Sequence, residues 1–132
     1  MVFDKNSNEV IAILDWELST LGHPIADFTY HMMTWRMPLG VQGIGILGAN
    51  LDELNIPNEN EYADAYYQKT NRNEIHNWDF FLAYNMFRLA GITQGIAGRV
   101  RDGTASSDQA KQYGAFVPIL SQMAWKIVEK IN

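Results

Sequence analysis

Cysteine is absent from all 132 residues, which excludes a disulfide framework, a thiolate zinc site and a cysteine nucleophile. A chain without thiols is at home in a reducing compartment, so a cytoplasmic location is the expectation. Basic residues are scarce as well: 10 Lys and Arg stand against 15 Asp and Glu, a formal net charge of -5. A protein that grips phosphate backbones needs a concentrated basic surface, so nucleic acid is not an expected partner. Long apolar runs are also missing. No window approaches the ~20 residues that cross a bilayer, and Asp4, Lys5, Asn6 and Asn8 interrupt the N-terminus before a leader could form. No membrane partner is expected.

What is present is 47% apolar residues, enough for one core without disulfides or metals. The expected organisation is a single domain over 1–132, with a β-hairpin and an acidic motif in 1–17 and a helical region in 18–132. The fold class is α+β, mainly α: a short N-terminal hairpin followed by about four main helices.

Val2-Phe3 and Val10 to Leu14 are β-type runs separated by the turn formers Asp4 to Glu9. The second run does not alternate apolar with polar, which predicts a strand covered on both faces. An isolated hairpin is only marginally stable, so this one is expected to lean on the helices. Gly22-His23-Pro24 is a break and a helix start, with Pro24 suited to the first helical position; that helix is predicted to run to Trp35. From Arg36 to Pro57 periodicity is lost, and Pro38, Gly40, Gly43, Gly45 and Gly48 predict a long loop with one short turn of helix, either a lid or substrate-facing segment or simply a mobile connection.

Asn58 or Asn60 can cap a helix from Glu59 to Thr70, ended by Asn71-Arg72-Asn73. Ile75, Trp78, Leu82, Met86, Leu89, Ile96 and Val100 then share one helical stripe, predicting a helix over 75–100. Gly91, Gly95 and Gly98 weaken it by about 1 kcal/mol each, which suggests close approach of another backbone. Ser106 with Gln109 reads as a capping box for a last helix, which should kink or break at Pro118.

Chemistry concentrates where Val10-Ile11-Ala12-Ile13-Leu14 runs into Asp15-Trp16-Glu17. In an extended segment Asp15 and Glu17 share a face, and two carboxylates at a strand end can hold a divalent ion; solvated turn residues are the plainer alternative. Asp27, at a helix N-terminus, is either a dipole-matched acid or a buried group needing partners. His23 reads as a turn residue, His31 and His76 as structural. Arg88, Arg99 and Arg101 form either an anion-facing row or ordinary solvated cations.

The stretch from Val10 through Asp15-Trp16-Glu17-Leu18-Ser19-Thr20-Leu21-Gly22-His23-Pro24-Ile25-Ala26-Asp27 to Tyr30 resembles the metal-binding segment of the aminoglycoside phosphotransferase and choline kinase-like family. The likeness is closest to the kinase-like domain associated with acyl-CoA dehydrogenases, whose long helix Trp78 to Ile96 also resembles. The resemblance implies ATP- and Mg2+-dependent phosphorylation of a small-molecule hydroxyl. Asp15 would hold magnesium against the nucleotide phosphates, Glu17 would assist, and Asp27 would brace the catalytic loop. A complete member also has a lysine-bearing nucleotide lobe and a His-Gly-Asp loop ahead of this motif. The expectation is therefore a truncated C-terminal lobe with no catalytic base of its own, inactive alone. Its exposed apolar faces would let it form a homodimer or serve as a non-catalytic interaction module.

Overall fold

The computed structural model describes residues 1–17, 19–40, 45–72, 76–107 and 109–131. Leu18, Gly43, Asn73 and Ile75, named above, lie outside the described residues. The elements are a two-stranded antiparallel hairpin, β1 (Val2–Phe3) and β2 (Val10–Ala12), then α1 (Pro24–Met32), a 3-10 turn (Met33–Arg36), α2 (Glu59–Thr70), α3 (Trp78–Arg101), a one-turn α4 (Ala110–Tyr113) and α5 (Phe116–Val128). This is the expected class: a hairpin followed by mainly helical structure.

The hairpin turn is tied by Asp4, whose Oδ1 accepts from the Asn6 and Ser7 amides at 2.7 and 3.1 Å. Pairing of Val2 with Ala12 and Phe3 with Val10 leaves an irregular register, and β2 ends two residues earlier than the apolar run. The apolar run is not covered on both faces. Ile11, Ile13, Leu14 and Trp16 are all exposed, and the hairpin does not pack substantially on any helix. Absence of alternation marks a strand that is apolar on both sides; it does not supply the layers that cover it.

The core lies between α3 and α5, with α1 and the 3-10 turn on the other side of α3. Met32, Met33, Met37, Leu82, Met86 and Leu120 are its fully buried large side chains. Methionine fills irregular gaps of this kind because its side chain is unbranched and adaptable. The stripe read on α3 is the buried one at Leu82, Met86 and Leu89, whereas the neighbouring Ile92 is exposed. No backbone approaches Gly91, Gly95 or Gly98 among the described residues; a side chain there would meet open space or only the end of Arg99. The close approach is elsewhere. A methyl group on Gly114 would lie 3.0 Å from the Ala97 Cβ, and it is at Gly114 that the last helical stretch breaks into α4 and α5. Pro118 falls in the first turn of α5, where its missing N–H has no helical partner to lose. Ser107, not Ser106, bonds the Gln109 amide, at 3.1 Å, and the helix starts one residue later.

The segment after the 3-10 turn is anchored. Pro38 bridges to Leu47, the Leu47 amide donates to the Met37 carbonyl at 2.9 Å, and Met37 is fully buried. Gly45 lets the two backbones cross: a Cβ there would sit 2.0 Å from the Pro38 carbonyl oxygen. The described part of this loop is thus clasped at Met37–Pro38 and Leu47, and no regular helix forms between Met37 and Asn58 among the described residues.

Only Ala63 of α2 is buried, so this helix is held mainly through side-chain contacts at its edges. Asn58 makes the full capping box with Glu61. Phe28 of α1 stacks on Tyr66 with ring centroids 3.8 Å apart. Glu59 accepts from Arg36 Nε and Nη2 at 2.5 and 2.8 Å and from Trp78 Nε1 at 3.1 Å, joining the 3-10 turn, α2 and α3. Hydrogen bonding to Glu59 holds the Arg36 guanidinium above its usual pKa, more than burial lowers it.

Candidate functional site

Past β2 the chain does not stay extended. Asp15 adopts a left-handed backbone, φ 70°, a conformation that costs an L-residue about 1–2 kcal/mol and that Asp tolerates better than most. Trp16 then folds back, its Nε1 donating to the Ile13 carbonyl at 2.6 Å. The Ser19 amide and hydroxyl both donate to the Trp16 carbonyl, at 2.9 and 2.5 Å. Period-two alternation therefore fails at Asp15, and the shared face expected for Asp15 and Glu17 is replaced by a tight turn that leaves both exposed. Neither carboxylate has a hydrogen bond or ion pair among the described residues.

The turn leads into α1. His23 is its cap: Nδ1 accepts from the Ile25 amide at 3.3 Å, and the ring stacks on Phe81 of α3 at 4.9 Å. Accepting at Nδ1 puts the neutral ring's proton on Nε2. Asp27 follows in the first turn, exposed and favourably placed for the helix dipole.

Beneath α1, Asn85 of α3 is completely buried. Its Nδ2 donates to the Ala26 carbonyl at 2.8 Å and to Thr29 Oγ1 at 2.9 Å, and Thr29 in turn donates to the Ile25 carbonyl at 2.7 Å. Asn85 Oδ1 has no hydrogen-bond partner among the described residues. This clamp fixes the first turn of α1, and so Asp27, on the long helix. Sequence reasoning missed it, although the signal existed: an amide interrupting an otherwise apolar helical face.

A cleft of ≈ 680 Å³ opens here, bordered by Ser19, Thr20, His23, Asp27, Tyr84 and Arg88. Arg88 lies over the Tyr30 ring, 5.2 Å from its centroid. Arg101 instead pairs with Asp102 at the far end of α3, so the three arginines form no common row. Asp15, Glu17 and Asp27 do not converge into one cluster; among the described residues no group of three His, Cys, Asp or Glu side chains could enclose a metal ion. What the corner offers is hard oxygen donors on one side and, on the other, an acid held firmly at a cleft. A second cleft, ≈ 720 Å³, lies between α2 and the start of α3, but its central acid, Glu59, is already committed to Arg36 and Trp78.

Residues 1–70 match the model of the phosphotransferase enzyme family. The chain belongs to that family. Acyl-CoA dehydrogenase family member 10 from Mus musculus is 36% identical over 131 residues, 98% of this chain and 12% of the relative. Acyl-CoA dehydrogenase family member 11 from Homo sapiens is 34% identical over 131 residues, again 98% of this chain but 17% of the relative. Among solved structures, a protein from Ralstonia eutropha JMP134 assigned as an aminoglycoside phosphotransferase superposes with a TM-score of 0.88 at 47% identity, over 97% of this chain and 39% of that one. This phosphotransferase-family chain thus spans between about an eighth and two fifths of the relatives it matches. None of its described helices is long and apolar enough to cross a membrane.

Proposed function

We propose that this chain is part of an ATP- and Mg2+-dependent phosphotransferase that acts on a small-molecule hydroxyl, in which Asp15 is a magnesium ligand, Glu17 assists it and Asp27 braces the backbone beside the site. The observation that carries the reading is the Asp15 turn. A family member holds a carboxylate in an unfavourable left-handed conformation, at the end of a hairpin, with no hydrogen-bond or ion-pair partner among the described residues. Strain of that kind persists where surrounding structure enforces it, often at functional sites.

The donor set fits the group. Magnesium takes oxygen ligands and commonly uses only one or two protein carboxylates, the rest being water and phosphate, so the absence of a three-carboxylate cluster is no obstacle. When bound, the ion would neutralise charge on the transferred phosphoryl group. The protein's own contribution is positional. The Ser19 bonds to the Trp16 carbonyl close the turn that presents Asp15, and Asn85 ties the first turn of α1, which carries Asp27, to α3. The reading also takes 1–132 as one domain and a C-terminal-lobe portion of such an enzyme, working in the cytoplasm and inactive without the groups that would supply a base.

Calorimetric titration of the chain with Mg2+ and ATP, with Asp15→Asn as control, tests this. Saturable binding that weakens at least tenfold in the variant is expected; binding indifferent to Asp15 refutes the assignment. A second reading, a non-catalytic module that self-associates or pairs with another chain, is favoured by the exposure of Leu14, Trp16 and Leu21. Absence of any nucleotide binding would favour it.

A further inference from the structure

The first turn of α1 is tied down in two ways that differ chemically. From α3, Asn85 donates to the Ala26 carbonyl and the Thr29 hydroxyl, and an amide side chain carries no charge that pH could change. The other tie is His23. It is the N-cap, with an extended backbone at φ -77° and ψ 120°; its Nδ1 accepts from the Ile25 amide at 3.3 Å and its carbonyl accepts from the Ala26 amide at 2.9 Å. Ser, Thr, Asn and Asp are the usual caps because each keeps an oxygen acceptor across neutral pH. An imidazole does not. Its neutral form has one acceptor nitrogen, whereas its protonated form has none, because both ring nitrogens then donate.

Protonation of His23 therefore does more than remove one bond. Turning the ring over is no remedy, since either nitrogen would then set an N–H against the Ile25 N–H. The new charge would also stand at the positive end of the α1 dipole, and stacking on Phe81, with ring centroids 4.9 Å apart, keeps the imidazole there. The charged groups around it divide. Arg88 of α3 lines the same cleft and opposes a second cation, whereas Asp27, in the first turn of α1, favours one. Tyr84 of α3 and, before the cap, Ser19 and Thr20 add only hydroxyls to that cleft. Among the described residues no ion pair joins His23 to an acid.

We propose that His23 is a positioning residue for Asp27: it holds the first turn of α1, and this acid with it, in place only as the neutral imidazole. The stability that the cap contributes is complete while the ring is neutral. It is lost as pH falls through the range in which imidazole side chains take up a proton, between about pH 8 and 5. Asp27 rides on the turn that loosens, so binding that depends on this acid weakens in mild acid. That last consequence rests on the reading of Asp27 as a brace; the pH-dependent placement of the turn does not.

The test compares this chain with His23→Asn, which keeps a side-chain acceptor and does not titrate, and with His23→Ala, which has no acceptor. Thermal unfolding is measured at about pH 7.5 and about pH 5.5, on either side of the imidazole range. His31, His76 and the acids are common to all three proteins, so a difference in pH response belongs to position 23. On acidification the wild-type chain should lose roughly 3 to 4 °C of Tm more than His23→Asn, the worth of one cap in a chain of this length. His23→Ala, uncapped throughout, should lose no more than His23→Asn. Heteronuclear NMR supplies the second readout. At the higher pH the His23 ring should carry its proton on Nε2. Protection of the Ile25 amide from exchange should fall about fivefold at the lower pH, and the Asp27 amide signal should shift with it, in the wild-type chain but not in His23→Asn. A ring proton on Nδ1 at the higher pH overturns the proposal. So does an equal acid-induced loss in the wild-type and His23→Asn chains, or an Asp27 signal that stays fixed while the Ile25 amide is released. Absence of Mg2+ and ATP binding from all three chains at the higher pH counts instead against the phosphotransferase reading, and leaves the pH-dependent placement of Asp27 standing.

Discussion

Removing the Glu59 carboxylate should detach α2 before it harms the rest of the fold. Glu59 accepts three hydrogen bonds, from Arg36 Nε, Arg36 Nη2 and Trp78 Nε1, and the rest of what holds α2 is Ala63 and the rings of Tyr62 and Tyr66 packed on Phe28, His31 and Trp35. The pair is neither fully exposed nor fully buried, with side-chain exposures of 35% for Arg36 and 20% for Glu59. Exposed pairs contribute about 0.2–1 kcal/mol, and breaking a buried one costs about 3–5. Screening at Arg36 discounts the upper figure, so Glu59→Ala should cost about 2 kcal/mol. For a chain of this length that is a fall in Tm of about 7 °C. The pKa of Arg36 is raised in the folded state, so its contribution is complete below the unfolded-state value and is lost only in strong alkali; the effect should be flat across neutral pH. The assay is a double-mutant cycle by urea denaturation with Glu59→Gln and Arg36→Gln, read by tryptophan fluorescence because Trp35 and Trp78 flank the pair. Coupling of about 1–2 kcal/mol is expected. Simple additivity within about 0.3 kcal/mol would refute the reasoning.

Gly45→Ala should lower stability by about 3 kcal/mol, since the new methyl meets the Pro38 carbonyl and neither backbone can yield cheaply; a thermal shift near zero would show that the clasp is adjustable. Asp15→Gly should stabilise the chain by up to about 1 kcal/mol, because glycine adopts φ 70° without penalty, while abolishing Mg2+-dependent nucleotide binding. A destabilised Asp15→Gly variant would mean the carboxylate has a structural partner. Asn85→Leu should cost less than about 1 kcal/mol, since it removes an orphaned oxygen along with two donated bonds, whereas Asn85→Ala adds a cavity and should cost about 2 kcal/mol or more. Equal losses in the two variants would argue against that account.

Residues 24–36, 58–70 and 78–101 were legible because helix signals are local: Pro24 at the first position, the Asn58 and Glu61 box, and the period of Leu82, Met86 and Leu89. The candidate site was legible only as a list. Asp15, Glu17 and Asp27 could be named, but the spacing that put the first two on one face assumed an extended chain, and a single left-handed residue undid it.

By itself the sequence determined the main helices, the Asn58 cap, the hairpin and the list of candidate acids, all of which follow from residues within a few positions of one another. Tertiary structure decided where Gly45 and Gly114 are needed, that Asn85 holds α1, and that His23 stacks on Phe81. Those depend on residues distant in the chain meeting in space, which periodicity does not encode. Only the folded chain revealed that Ile11, Leu14 and Trp16 lie bare, since a pattern of apolar residues specifies a surface to be buried and not the layer that buries it.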